Sequence, residues 1–256
     1  MGKNSSIVWC NHTFNPWIGC TKVSPGCDHC YAERFADTRM GKVVWGPGNR
    51  RIRTAKSTWQ QPLAWDRAAA KTGDRTLVFC ASLADVFDPE VPTKWRDELY
   101  HLIAITKNLT WLLLTKRPEN MTTMLPASWG DGTGWNVWLG VTAEEQRCAD
   151  YRIPILLSVP AKLRFVSCEP LLGPVHLESW LGEKQVAWVI AGGESGPQAR
   201  RMRSEWVRSL RDQAEVAKVP FLFKQWSDDP GIKKLPGLPM LDGVRHGMIP
   251  SVRSRT

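Results

Sequence analysis

No run of about 18 apolar residues occurs in this sequence, so no segment is expected to cross a bilayer as a helix. The first twelve residues, MGKNSSIVWCNH, lack a secretory leader's apolar stretch and small-residue cleavage site, which gives the expectation of a cytoplasmic protein. Tyrosine and phenylalanine are scarce, three and seven, against fourteen tryptophans; with 43% hydrophobic residues this composition excludes a disordered chain. There is no G-x-G-x-x-G fingerprint, no internal repeat, no low-complexity tract and no named nucleic-acid motif. Acids are in deficit, 25 against 34 Lys and Arg, for a net charge of +9.

The 256 residues are enough to bury a full core without disulfide or metal staples. Apolar, β-branched or aromatic runs recur with polar loops and helical patterns between them. Strands are predicted at 12–16, Thr76–Ala81, Thr110–Thr115, Asn136–Val141, Leu163–Ser167, Val186–Ala191 and Pro220–Lys224. TLVFCA, TWLLLT and VAWVIA are apolar throughout or nearly so, which suits strands buried on both faces of a parallel sheet. Helices are predicted at Tyr31–Met40, Thr93–Lys107 and Ser204–Lys218, with a weaker pattern at 145–158.

This alternation defines an α/β fold, met by either a doubly wound sheet or a (β/α) barrel. Polar residues follow almost every strand: Ser82 and Asp85, Lys116 and Arg117, Thr142 and Glu144, Glu169, Glu194 and Ser195, Lys224 and Gln225. In a barrel they converge on one mouth, so a single-domain, incomplete (β/α)6-7 barrel is the expectation. It covers residues 1–226, with a basic insertion at 41–65 and a C-terminal tail at 227–256.

The seven cysteines divide by position. Cys10, Cys80, Cys148 and Cys168 sit among apolar neighbours and read as core, whereas Cys20, Cys27 and Cys30 fall within eleven residues around Pro25 and Gly26. Thiolates that close together can converge on a soft metal. Zinc would need a fourth ligand from His29, His12 or a distant thiol, because no second C-x2-C follows. An iron–sulfur cluster on three cysteines would leave one iron open to another ligand. Both readings stand at this point.

The segment WIGCTKVSPGCDHCYAE (17–33) resembles the signature of the phage Gp37/Gp68-like family of uncharacterised proteins, itself similar to radical S-adenosylmethionine (SAM) enzymes. The similarity continues in SLADVF (82–87), LTKRP (114–118), LGVT (139–142), EPLLG (169–173), GGESG (192–196) and FKQW (223–226). The gap between the first two cysteines is six residues, where radical SAM enzymes usually have three. The resemblance implies a barrel of radical SAM type, with a [4Fe-4S] cluster on Cys20, Cys27 and Cys30 and with SAM on the fourth iron. It implies an enzyme that generates a 5′-deoxyadenosyl radical for hydrogen abstraction, served by a flavodoxin- or ferredoxin-type reductant protein. Gly192, Gly193, Glu194 and Ser195, or alternatively Ser82 and Asp85, would bind SAM, with Tyr31 beside the last cysteine.

Glu169 precedes Pro170 at the end of an apolar strand, where a carboxylate needs a cation or a polar cavity; Lys224 at the matching position of the last strand can supply the charge. Glu169, Lys224 and Cys168, the last as a hydrogen-atom donor, are the candidate catalytic residues. Lys42, Arg50, Arg51, Arg53 and Lys56 lie among Trp45, Trp59 and Trp65 with no acid between residues 41 and 60. That composition suits an anionic substrate or nucleic acid, with stacking platforms. The alternative to the enzyme is a zinc-stabilised nucleic-acid-binding protein without redox chemistry.

Overall fold

Strands that are apolar on both faces must be covered on both, and the computed structural model shows how this chain does it. Residues 5, 7–228 and 237–251 are described. In chain order they form β1 (His12–Phe14), β2 (Trp17–Ile18), α1 (Tyr31–Glu33), β3 (Ile52–Arg53), α2 (Lys56–Thr72), β4 (Thr76–Cys80), α3 (Thr93–Ile105), β5 (Leu109–Thr115) and α4 (Met121–Met124). There follow β6 (Val137–Thr142), α5 (Gln146–Ser158), β7 (Leu163–Cys168), β8 (Val186–Gly192), α6 (Ser204–Val216), β9 (Phe221–Gln225), β10 (Met240–Leu241) and β11 (Val244–Arg245).

Seven strands pair in parallel in the order β1-β4-β5-β6-β7-β8-β9. The order follows the chain and β1 does not pair with β9, so the sheet is an open barrel. The expected incomplete (β/α) barrel is borne out. No helix among the described residues is long and apolar enough to cross a membrane.

Strand alternation sorts the side chains onto two faces. Leu77, Phe79, Leu112, Trp138, Phe165, Trp188, Ile190 and Leu222 form one buried cluster together with Trp9 on the concave side. Val78, Cys80, Trp111, Leu113, Leu139, Val166, Cys168, Val189 and Phe223 point the other way, into the core shared with the helices. The concave side is packed with aromatic rings: Trp9 lies 4.5 Å from Phe79, and Trp188 lies 5.9 Å from Trp138 and 5.6 Å from Phe165. Each such pair adds about 0.5–1.5 kcal/mol beyond the area it buries. Gly140 makes room for this packing, since a Cβ there would run into the Phe165 ring.

Two regions depart from expectation. A seventeen-residue helix, α2, begins inside the basic insertion and runs past its expected end; its buried residues Thr58, Pro62, Trp65 and Ala69 recur at helical spacing, and it ends on Gly73 at φ 72°. Within the segment expected as a tail, residues 229–236 and 252–256 lie outside the described residues. The described part runs antiparallel along β9: the Phe223 amide donates to the His246 carbonyl (2.9 Å) and the Met248 amide to that of Phe221 (3.2 Å). Trp188 Nε1 donates to the Met248 carbonyl at 3.0 Å, fastening the segment to the concave core.

Candidate functional site

The C-terminal ends of the strands surround a cavity of about 150 Å³. Cys20, Cys27, Cys30, Tyr31, Ser82, Asp85, Glu169 and Lys224 all line it, together with Lys116, Arg117, Thr142 and Ser167. Eight predicted site residues therefore share one space. Ser167 carries no candidate signal in the sequence, and Lys116 and Arg117 carry only that of strand-end residues. Their signal was position: each stands at or directly after the end of an apolar strand.

The cysteine loop at 20–30 is held by side chains from several strand ends. Below it, Glu144 accepts from the Ser24 hydroxyl and from the Gly26 amide (3.3 Å), while Arg152 donates to its other oxygen at 2.6 Å. Burial alone would raise the Glu144 pKa, but Arg152, Lys116 and the Ser24 hydrogen bond hold it below the usual carboxylate range. Gly26 has to be glycine for this approach, as a Cβ would stand 2.9 Å from the Glu144 carboxyl carbon. On another side Arg200 donates to Glu194, to Asp28 (3.2 Å) and to the Pro25 carbonyl (2.7 Å), and His29 Nδ1 lies 3.0 Å from Glu194. Burial opposes the charge on Glu194 as well, and the Arg200 and His29 contacts bring its pKa down.

Arg117 completes the enclosure. Its guanidinium donates to Asp85 (3.1 Å), the Cys20 sulfur (3.3 Å) and the Thr21 carbonyl (2.6 Å). Asp85 also accepts from Thr115 Oγ1 at 2.8 Å, so its carboxylate is fully engaged. Cys20 is pushed up to about 12, first by burial and then by the Asp85 charge, with Arg117 pulling the other way. Burial likewise raises Cys30. Near pH 7 both side chains are thiols, not thiolates.

Glu169 and Lys224 meet across the cavity, Nζ to Oε1 at 3.1 Å, and Ser167 Oγ donates to Glu169 Oε2 at 3.0 Å. Lys116 differs from its neighbours. Among the described residues its ammonium makes neither a hydrogen bond nor an ion pair, although it lines the same cavity. Burial lowers its pKa, but Cys27, Glu144 and Cys30 raise it further, so it stays charged.

Four expected cofactor-binding residues are otherwise employed. Gly192 lets the Glu169 carboxylate pass 2.5 Å from where its Cβ would be, and Gly193 admits the backbone of Ser227. Glu194 anchors the cysteine loop, and Ser195 Oγ accepts from Gln225 at 2.5 Å. Cys168 is fully buried on the helix-facing side of β7, away from the cavity that its neighbours Ser167 and Glu169 reach. That placement removes the geometry for a hydrogen-atom donor.

The expected cofactors are corrected on the arrangement of the side chains. Cys20, Cys27 and Cys30 line one cavity, yet among the described residues no three His, Cys, Asp or Glu side chains come together as a group able to hold a metal ion. Cys20 is engaged by Arg117 and the Thr21 carbonyl, whereas Cys27 lies by Ser24. The residues present therefore do not fit a [4Fe-4S] cluster with SAM on its fourth iron. The zinc alternative meets the same objection.

The basic segment also differs from its expected form. Arg51 is buried at 1% exposure and pairs with Asp88 (2.8 Å) and Glu90 (3.2 Å). Arg53 pairs with Glu98 and lies 4.2 Å over the ring of Trp59, while Trp65 is buried. Two of the five local positive charges are thus paired with acids 37 to 45 residues further on.

An open parallel α/β barrel with a polar cavity at the strand C-termini is a class of fold in which that mouth is the usual place for chemistry. The chain belongs to the family described as protein of unknown function (DUF5131), matching it over residues 4–250. No curated protein matches it. Among solved structures, a doubly substituted spore photoproduct lyase with bound AdoMet and dinucleoside spore photoproduct is similar at 10% identity and a TM-score of 0.45. That likeness covers 82% of this chain and 62% of the lyase chain. The likeness is a distant one.

Proposed function

We propose that this chain is an enzyme whose active site is the strand-end cavity and whose substrate carries a phosphate or carboxylate, as a nucleotide does. The observation that carries the reading is Lys116, a charged ammonium in the cavity with no partner of its own among the described residues. A partly buried ammonium without a hydrogen bond or ion pair favours an anionic partner, and a substrate group would provide one. The cavity has roughly the volume of five waters at about 30 Å³ each, which suits an anionic head group, with the remainder of the substrate across the rim near Tyr31 and Trp45.

Lys116 would bind the anion. Glu169, aligned by Ser167 and Lys224, would accept a substrate proton or orient its donor. Kinship with the phage Gp37/Gp68-like proteins and a cytoplasmic setting, both read from sequence, belong to the same proposal.

Titration calorimetry of the full chain with AMP tests the reading. Binding is expected, weakened at least tenfold by Lys116→Ala. Incubation with a panel of nucleotides, read by mass spectrometry, should give a product that Glu169→Gln abolishes while AMP binding persists. Absence of binding, or affinity indifferent to Lys116, would overturn the assignment.

A further inference from the structure

The excess positive charge of the chain has to be sought away from Arg51 and Arg53, whose charges are paired internally. At the N-terminal ends of the strands, opposite the cysteine loop, lies a second and larger groove of about 760 Å³. Its wall is built from the residues that lead into four adjacent strands. Arg75 precedes β4, Lys107 and Asn108 precede β5, Asn136 precedes β6, and Lys162 precedes β7. Parallel pairing in register brings these loop ends side by side. Three cations therefore face one groove, against the single carboxylate of Asp74.

None of the three cations forms an ion pair among the described residues. Lys162 Nζ reaches Asn136 Oδ1 at 3.4 Å, and the Arg75 guanidinium lies 5.1 Å over the ring of Trp138 at the groove's floor. Strands lie about 4.8 Å apart, so the row from β4 to β7 spans about 14 Å. One monovalent anion cannot meet such a row, but linked phosphates can.

We propose that this basal groove binds a chain of phosphate groups, contributed by a nucleic-acid strand or by a free polyphosphate. Trp138 is nearly fully buried and offers no stacking face, so recognition is of the phosphates and not of bases. The groove is separate from the cavity of Lys116, and the proposal does not depend on that cavity's role.

The test uses the full chain with two probes, a fluorescent decathymidylate and inorganic tripolyphosphate, against the charge-reversed variant Lys107→Glu/Lys162→Glu. Both lysines are exposed, and circular dichroism would verify the fold. Affinity should fall at least tenfold, and the slope of log K against log salt for the oligonucleotide should shrink by about 1.4 for two lost contacts. Lys107→Ala/Lys162→Ala should give a smaller loss in the same direction. Loss for one probe alone supports the groove and identifies the source of the phosphates. Unchanged affinity for both probes, or an equal loss in Arg50→Ala/Lys56→Ala, would overturn the proposal.

Discussion

The two ends of the barrel use charge in opposite ways. At the C-terminal mouth nearly every cation meets an acid: Arg117 with Asp85, Arg152 with Glu144, Arg200 with Glu194 and Lys224 with Glu169. At the base, Arg75, Lys107 and Lys162 stand around a groove with Asp74 as the lone carboxylate. The mouth is accordingly a small enclosure whose charges fix a loop, with Lys116 the exception, while the base is a wide surface whose charges stay available. Chain position explains the difference. The mouth must hold the cysteine loop, which has little regular structure of its own, whereas the base is made of loop ends that the strands already support.

The comparison is broken most severely at Glu144. Glu144→Ala leaves Arg152 buried without its partner and frees Ser24 and Gly26, so a loss of about 3–5 kcal/mol is expected in denaturant unfolding. Arg200→Ala should act locally. Its side chain is a third exposed, and a loss of about 1–2 kcal/mol is expected, with faster amide exchange over residues 24–30 and little change in β5.

Acid sharpens the contrast with the smallest perturbation. The pKa values of Glu144 and Glu194 are both lowered by folding, so their contribution is complete above the unfolded carboxylate value of about 4.3 and is lost as pH falls through the lower folded values. Exchange of the Gly26 and Arg200 amides, which donate to these carboxylates, should accelerate below about pH 4, ahead of amides in β4 and β5. Simultaneous acceleration in the strands would mean that the loop has no independent stability.

The seven strands were legible because their apolar runs are bounded by polar turns, and each was found within two residues of its expected ends. Helix α2 was not, because Pro62 and a basic, Trp-rich composition mask its spacing; its buried residues are Thr58, Pro62, Trp65 and Ala69. The side of β7 that carries Cys168 was undecided because both faces of that strand are apolar, so alternation alone names no cavity. Arg51 misled for a different reason. Its partners Asp88 and Glu90 lie beyond any local window, and a run without acids in sequence became an ion-paired cluster in space. The three cysteines show the same limit: closeness along the chain brought them to one cavity but not to one coordination sphere.

The segment 246–248 has a consequence for how copies of this protein behave together. A parallel sheet that does not close leaves two edges, and an unpaired edge is a template on which a neighbouring chain can add a strand. By hydrogen-bonding to Phe221 and Phe223, and by tying Met248 to Trp188, the chain occupies its own β9 edge. The openness that gives the barrel its concave face is thus prevented, along that edge, from becoming a route to aggregation.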